Sequence, residues 1–168
     1  MRLFAQPYNP DANGFYFESL EEFNEKMKNC RDSFGSPIEE FDIQFIDGTD
    51  QESDLAKAVR LDQTNLEDFF DLTELDNDDQ AKVFYLIDQC NYSVKDVWED
   101  YEDVMLYSGD LEEAGQELFD ELYLSEIPEH LRSYIDYQQF SKDCELSGDM
   151  SEFEFAGETY TCTNANAN

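Results

Sequence analysis

The residues of this 168-residue chain that could do chemistry are mainly carboxylates, since it has 42 Asp and Glu, ten Lys and Arg and one histidine. Crowded carboxylates can bind calcium, and an EF-hand loop needs oxygen ligands at alternate positions and glycine at the sixth. The two best candidate loops begin at Asp42 and Asp76, and they place Asp47 and Ala81 at the sixth position. We therefore expect no EF-hand and no metal site.

The remaining residue types give little support to catalysis. His130 follows Pro128 and Glu129 at a predicted helix start, so we expect it on the surface and not as a general base. The chain has no glycine-rich phosphate loop, no GxSxG motif and no CxxC motif, and its four cysteines are expected to be reduced thiols. A carboxylate-pair enzyme is an alternative, but 42 acids single out no pair. We expect a protein that is not an enzyme, with no catalytic residue and no cofactor.

The charge itself is the strongest signal. The formal net charge is −32, whereas small domains usually carry a net charge of magnitude about 2 to 8. The excess is spread along the chain, with net charges of −7, −10 and −15 over residues 1–50, 51–100 and 101–168. Acidic chains are often disordered, but 14 Phe, 10 Tyr and one Trp can supply a core. The composition therefore indicates a folded protein with an extreme surface.

No segment indicates a membrane or secreted protein. No apolar run approaches the roughly 18 residues of a membrane span. The N-terminal stretch MRLFAQPYNPD lacks the hydrophobic region of a signal peptide. We expect a cytoplasmic protein that does not bind membranes.

The pattern of apolar residues predicts an α+β fold in three small sub-domains. Residues 1–53 form an N-terminal α+β unit, residues 54–102 a central helical unit and residues 103–168 a C-terminal α+β unit. In the first, the predicted elements are strands at 2–6, 14–17 and 41–45, a helix over about 20–30 that is capped by Ser19, and a polar turn at 48–53.

The other two sub-domains follow from caps and turn residues. The central one has predicted helices at 54–60 and 65–75, a helix capped by Asn77 and a short helix capped by Ser93. The C-terminal one has a predicted strand at 104–107, helices beginning at Asp110, Pro128 and Asp136, a closing Gly148, a hairpin over 152–162 and a frayed TNANAN tail.

A surface this acidic could imitate nucleic acid. B-DNA presents one negative charge per about 1.7 Å of axis, and carboxylates on exposed helical faces can approach that density because a helix rises about 1.5 Å per residue. Such a surface would compete for a basic DNA-binding cleft without base readout, and it would steer encounter electrostatically. The predicted DNA-mimic acids are Asp68, Asp71, Asp78, Asp79, Glu99, Asp100, Asp110, Glu112, Glu113, Glu117, Asp120, Glu121, Glu126 and Glu129.

The segment LSEIPEHLRSYIDYQQFSKDCELSG resembles the signature of the ArdA antirestriction proteins, which carries an I-P-x-x-L-x-x-Y-I-D-Y core followed by an aromatic residue. Weaker similarities lie in PYNPDANGFYFE and EEFDIQFID, so the resemblance extends over about the whole chain while only 124–148 is specific. Departures are the N-terminal loop with Pro10, Cys144 in the second motif helix and the polar tail. The motif residues, predicted to form either core or dimer seam, are Ile127, Pro128, Leu131, Tyr134, Ile135, Asp136, Tyr137 and Phe140.

The resemblance implies a function. ArdA proteins are borne by plasmids, transposons or phages and inhibit Type I restriction–modification enzymes. They are elongated three-part homodimers that mimic bent B-DNA and occupy the DNA-binding groove of the methyltransferase core, which the specificity and modification subunits form. The expected partners are therefore that enzyme and a second copy of the chain, with no direct nucleic-acid binding.

Two alternatives to this function stay open from the sequence. One is an acidic binding module for another basic DNA-binding protein, such as a different defence system or a nucleoid protein. The other is a halophilic-type acidic protein of unrelated role.

Overall fold

The computed structural model describes residues 1–167 and confirms the predicted mixture of helices and small sheets. The chain divides into two compact units, unit 1 (Met1–Trp98) and unit 2 (Glu99 onward). The predicted boundary after residue 53 lies inside a helix, Asp50–Ala58. The division into three sub-domains stays a prediction.

Unit 1 contains a three-stranded antiparallel sheet of order β2-β1-β3. The predicted strands are confirmed. Alternate side chains of these strands point into an aromatic core, where the ring of Phe17 lies 5.0 Å from that of Phe23 and Phe15 lies 5.3 Å from Phe41. The strands are β1 (Arg2–Pro7), β2 (Phe15–Phe17) and β3 (Phe41–Asp47).

The helices of unit 1 begin where side chains cap them. Helix α1 starts after Ser19, whose side chain accepts a hydrogen bond from the backbone N–H of Glu22, as predicted. The buried faces of α2, α3 and α4 supply apolar residues such as Leu55, Phe69 and Leu86. The helices are α1 (Leu20–Asn29), α2 (Asp50–Ala58), α3 (Leu66–Thr73), α4 (Asn77–Asp88) and the short α5 (Val97–Asp100), which continues into unit 2.

Three helix starts differ from the prediction. The predicted turn at 48–53 is wrong because Thr49 and Glu52 form a reciprocal capping box that starts α2 at Asp50. Asp76, and not Asn77, caps α4. The predicted helix after Ser93 is replaced by a turn, in which Ser93 bonds Asp96 before α5 begins.

Unit 2 contains a second three-stranded antiparallel sheet, of order β4-β6-β5, and two main helices. Asp110 caps α6 and Asp136 caps α7, and Gly148 ends α7 with a φ of +83°, all as predicted. The predicted helix after Pro128 is a 3₁₀ helix. The elements are β4 (Leu106–Ser108), α6 (Leu111–Leu122), 3₁₀ helices Leu124–Glu126 and Glu129–Tyr134, α7 (Tyr137–Ser147), β5 (Ser151–Phe155) and β6 (Glu158–Cys162).

The polar tail is held in place, so the prediction that it frays is wrong for the residues before Asn168, which lies outside the described residues. The side-chain carbonyl of Asn164 accepts from the backbone N–H of Met105 at 2.9 Å, and its amide donates to the carbonyl of Asp103 at 2.9 Å. The amide of Asn166 donates to Asp149 at 2.6 Å. Backbone bonds add to these contacts, since the N–H groups of Thr163 and Ala165 donate to the carbonyls of Met105 and Asp149.

None of the helices among residues 1–167 is long and apolar enough to cross a membrane.

Candidate acidic interface and motif segment

The fourteen predicted mimic acids lie on surfaces of both units, and none of them is buried. Ten are exposed, and four are half-buried: Asp68, Asp79, Asp100 and Asp120. They lie on α3, the first turn of α4, α5, the N-cap and body of α6, and the 3₁₀ helices Leu124–Glu126 and Glu129–Tyr134. Carboxylates in first turns also face the positive end of the helix dipole, which offsets part of their repulsion.

Helix α6 carries the densest row of these acids. It buries Ala114 and Gly115, leaves four of its carboxylates in solvent and holds Asp120 half-buried. Five carboxylates over twelve residues span about 18 Å, which is one charge per about 3.6 Å. One strand of B-DNA has a phosphate per about 3.4 Å of axis. The acids within the helix are Glu112, Glu113, Glu117, Asp120 and Glu121.

These charges have few cations to neutralise them. All four ion pairs among residues 1–167 lie in unit 1, and one of them joins a mimic acid, Asp79, to Lys82 at 3.0 Å. Unit 2 has 19 acids and two bases. One of the bases, Arg132, donates from Nε to the backbone carbonyl of Ile127 at 3.2 Å. Among residues 1–167, the carboxylates of α6 therefore form no ion pair that would neutralise their charge.

Two tyrosines of unit 2 have pKa values that nearby carboxylates help to raise. Desolvation, together with the charges of Glu117 and Glu113, raises the pKa of Tyr107. A hydrogen bond from the Tyr137 hydroxyl to Asp120, at 2.7 Å, raises the pKa of Tyr137. The second contact ties the motif segment to α6 and fixes the orientation of Asp120.

The motif residues connect α6 to α7 through aromatic packing. The ring of Phe119 lies 5.0 Å from Phe140, 5.5 Å from Tyr137 and 5.3 Å from Tyr123. Edge-on contacts of this kind fix the mutual orientation of two helices. Gly115 lets the helices approach closely, because a Cβ there would overlap the Ser141 side chain.

None of the eight motif residues is buried in the chain. Leu131 is 46% exposed and Tyr134 is 82% exposed, so for these two the core alternative does not hold. Helical spacing suggested a core, but a 3₁₀ helix of six residues has too little length to bury both. Ile127, Ile135, Tyr137 and Phe140 are half-buried, and Pro128 and Asp136 are exposed.

Among the further exposed apolar residues of unit 2 that sequence reasoning missed, three lie at or near helix ends. These are Leu122, Tyr123 and Leu146, the last of them 75% exposed. The sequence signal that could have revealed them is an apolar residue near the end of a helix, after the last buried position of that helix. With Leu131 and Tyr134 they form what we call the apolar set.

The side chains that could bind a metal ion are dispersed in the described part of the chain. No group of three His, Cys, Asp or Glu among residues 1–167 could hold a metal ion, and His130 lies exposed. The four cysteines are free thiols, of which Cys162 is buried.

Comparison with protein families identifies the chain. A family model described as antirestriction protein (ArdA) matches residues 14–158. The chain therefore belongs to the ArdA family of antirestriction proteins. The comparison with curated proteins and that with solved structures returned no match.

Replacing Gly115 by Ala should destabilise the α6–α7 pair by about 1–2 kcal/mol. Ala in a helix normally gains about 0.5–1 kcal/mol over Gly, but here the added methyl group meets Ser141, whose Cα would lie 3.1 Å away. Urea unfolding measures the change. Gln116→Ala, exposed on the same helix, is the control.

A double variant, Gly115→Ala with Ser141→Gly, should be less destabilised than the sum of the two single variants, because the contact couples them. If Gly115→Ala is as stable as the parent chain, the helices do not need this close approach.

Proposed function

We propose that this chain inhibits Type I restriction–modification enzymes by presenting carboxylates where DNA would present phosphates. Its acidic surface occupies the DNA-binding groove of the methyltransferase core, formed by the specificity and modification subunits. Incoming mobile DNA then escapes restriction. The observation that carries the proposal is the uncompensated row of carboxylates on α6, whose linear density is close to that of one DNA strand.

The physical basis is the phosphate part of DNA recognition. A DNA-binding cleft gains most of its sequence-independent affinity from lysines and arginines that neutralise phosphates. A folded surface with the same charge density gains the same sequence-independent affinity for the cleft. It offers no base edges that the DNA-binding protein could read. Inhibition of this kind needs no catalytic step by the chain.

Inhibition should depend on many charges together and on no single one. Exposed ion pairs are worth about 0–1 kcal/mol each, so Glu117→Gln alone should leave inhibition nearly intact. Neutralising Glu112, Glu113, Glu117 and Glu121 together should restore restriction progressively. The measurement is the plating efficiency of unmodified phage on a Type I-restricting host and on its non-restricting parent.

The matched control neutralises four exposed acids outside the predicted set, Glu21, Glu25, Glu39 and Glu40, and should keep inhibition. Complete loss with Glu117→Gln alone would contradict distributed mimicry. Equal losses in the two fourfold variants would show that total charge acts, and not the α6 row.

We further propose a homodimer that closes over the apolar set of unit 2. Leu131 and Tyr134 carry apolar surface that the chain itself does not cover. Two copies of unit 2, each with 19 acids and two bases, repel one another. Salt should therefore strengthen this association while it weakens binding to a basic target.

Light scattering after size exclusion at tens of micromolar should give twice the 19.7 kDa chain mass. Tyr134→Glu should shift the protein toward monomer, since a charge would be buried in the seam. Tyr8→Glu changes another exposed tyrosine, in unit 1 and 68% exposed, and should leave the dimer intact. A monomeric parent chain would refute the dimer.

A further inference from the structure

A groove in unit 1 differs in charge from the rest of the molecule. It lies between β3 and the C-terminal half of α2 and has a volume of about 540 Å³. One quarter of the chain is acidic, yet no carboxylate lines this groove. Its apolar walls come from Ile43, Phe45, Ala56 and Leu61, and its rim carries the cations Lys57 and Arg60.

The strand along this groove is an edge strand. β3 pairs with β1 on one side and with no strand of residues 1–167 on the other. The N–H of Phe41 points away from β1, because it donates to Gln63 Oε1 at 2.9 Å and its cross-strand partner is Pro7. In a strand, the N–H groups of every second residue point to the same side. The N–H groups of Ile43 and Phe45 therefore point away from β1, as that of Phe41 does.

These outward groups are available for pairing. Among residues 1–167, no backbone hydrogen bond reaches Ile43 or Phe45 from outside the sheet. An edge strand with free main-chain groups is a template for a further strand. Gln63 closes only the start of this edge, where its side chain bonds Phe41 and the carbonyl of Glu39.

Arg60 stands at the end of the groove in an unusual backbone position. It follows the C-cap of α2 with a φ of +51°. The N–H groups of Arg60 and Leu61 bond the carbonyls of Lys57 and Ala56, which makes a Schellman motif. Glycine is preferred at this position because a side chain there is strained.

The guanidinium of Arg60 takes part in none of the ion pairs among residues 1–167, although the chain has 42 acids. A second cavity on its other side, lined by Val59, Ile87 and the 91–94 loop, also has no carboxylate. A strained residue with an uncommitted charge is a candidate for ligand binding.

We propose that this groove binds an extended acidic peptide of a partner protein. The peptide adds a strand to the free edge of β3, through the main-chain groups of Ile43 and Phe45. An apolar side chain of the peptide enters the groove, and a neighbouring carboxylate pairs with Arg60. Strand addition of this kind takes affinity from the main chain and specificity from alternate side chains.

The large negative charge of the molecule does not prevent this binding. At physiological salt the Debye length is about 8 Å, so exposed carboxylates beyond that distance are largely screened. Charges next to the ligand dominate: Lys57 and Arg60 line the groove and attract the peptide, whereas Asp42 and Asp47, exposed on β3, oppose it. Lys57 is partly engaged by Asp54 at 2.9 Å, which leaves Arg60 as the main anchor.

The test uses the full chain and a fluorescent eight-residue peptide of alternating Val and Glu, with Phe at one central Val position. Fluorescence polarisation should show saturable binding below about 1 mM. Arg60→Gln should weaken it about tenfold or more, because a charge-assisted hydrogen bond is lost. Lys28→Gln removes an exposed charge outside the groove and should change nothing.

Arg60→Gly separates binding from folding, since glycine relieves the left-handed strain. This variant should unfold at the same or higher urea concentration and still lose peptide binding. Chemical shifts of the Ile43 and Phe45 amides should move on titration with the peptide. A peptide N-methylated at its outward-facing amides should bind at least tenfold more weakly.

Several outcomes would overturn the proposal. They are the absence of saturable binding to the folded chain, equal effects of Arg60→Gln and Lys28→Gln, and equal competition by a short DNA duplex, which would mean that any anion suffices. Loss of self-association in Arg60→Gln, with no peptide binding in the parent, would assign the groove to a second copy instead.

Discussion

Electrostatic self-repulsion is the constraint on which the rest of this structure depends. A net charge of −32 on 168 residues opposes compaction, so each unit needs a core whose apolar burial exceeds that opposition. Unit 1 meets the need with clustered rings, including Phe17, Phe23 and Phe41. Unit 2 buries Met150, Phe153 and Phe155 and adds the half-buried Phe119 cluster between α6 and α7. The burial of aromatic side chains thus offsets the repulsion that the acidic side chains create.

The positions of the acids reduce the same repulsion. Side chains of Asp76, Asp110 and Asp136 cap helices, where the carboxylate accepts a backbone N–H at the positive end of the dipole. Further acids fill the first turns of α1 to α4 and of α6. Other acids, such as Glu117 and Glu121 of α6, lie outside caps and first turns and are exposed to solvent. The acidic surface repels itself in the free protein, but a basic partner would neutralise that repulsion. This difference between the free and the bound state favours a role in binding.

The caps and alternating strands were predictable from sequence because they are local signals. Ser19, Asp110, Asp136 and Gly148 each mark a boundary through their own backbone preference. The start of α2 was missed because a capping box in a polar stretch resembles a turn. The exposure of Leu131 and Tyr134 was not predictable, since apolar spacing along a helix does not say whether another element covers that face. The groove beside β3 depends on contacts between residues about 15 apart, which no local pattern contains.

The central claim is that carboxylates replace phosphates in one DNA-binding groove. The most direct measurement is competition between this protein and a labelled DNA duplex for a purified Type I methyltransferase core, over a range of salt concentrations. Mimicry predicts complete mutual exclusion and an affinity for the protein that falls linearly in log–log form with salt, as it does for DNA. Binding of protein and duplex to the enzyme at the same time, or an affinity independent of salt, would contradict the account.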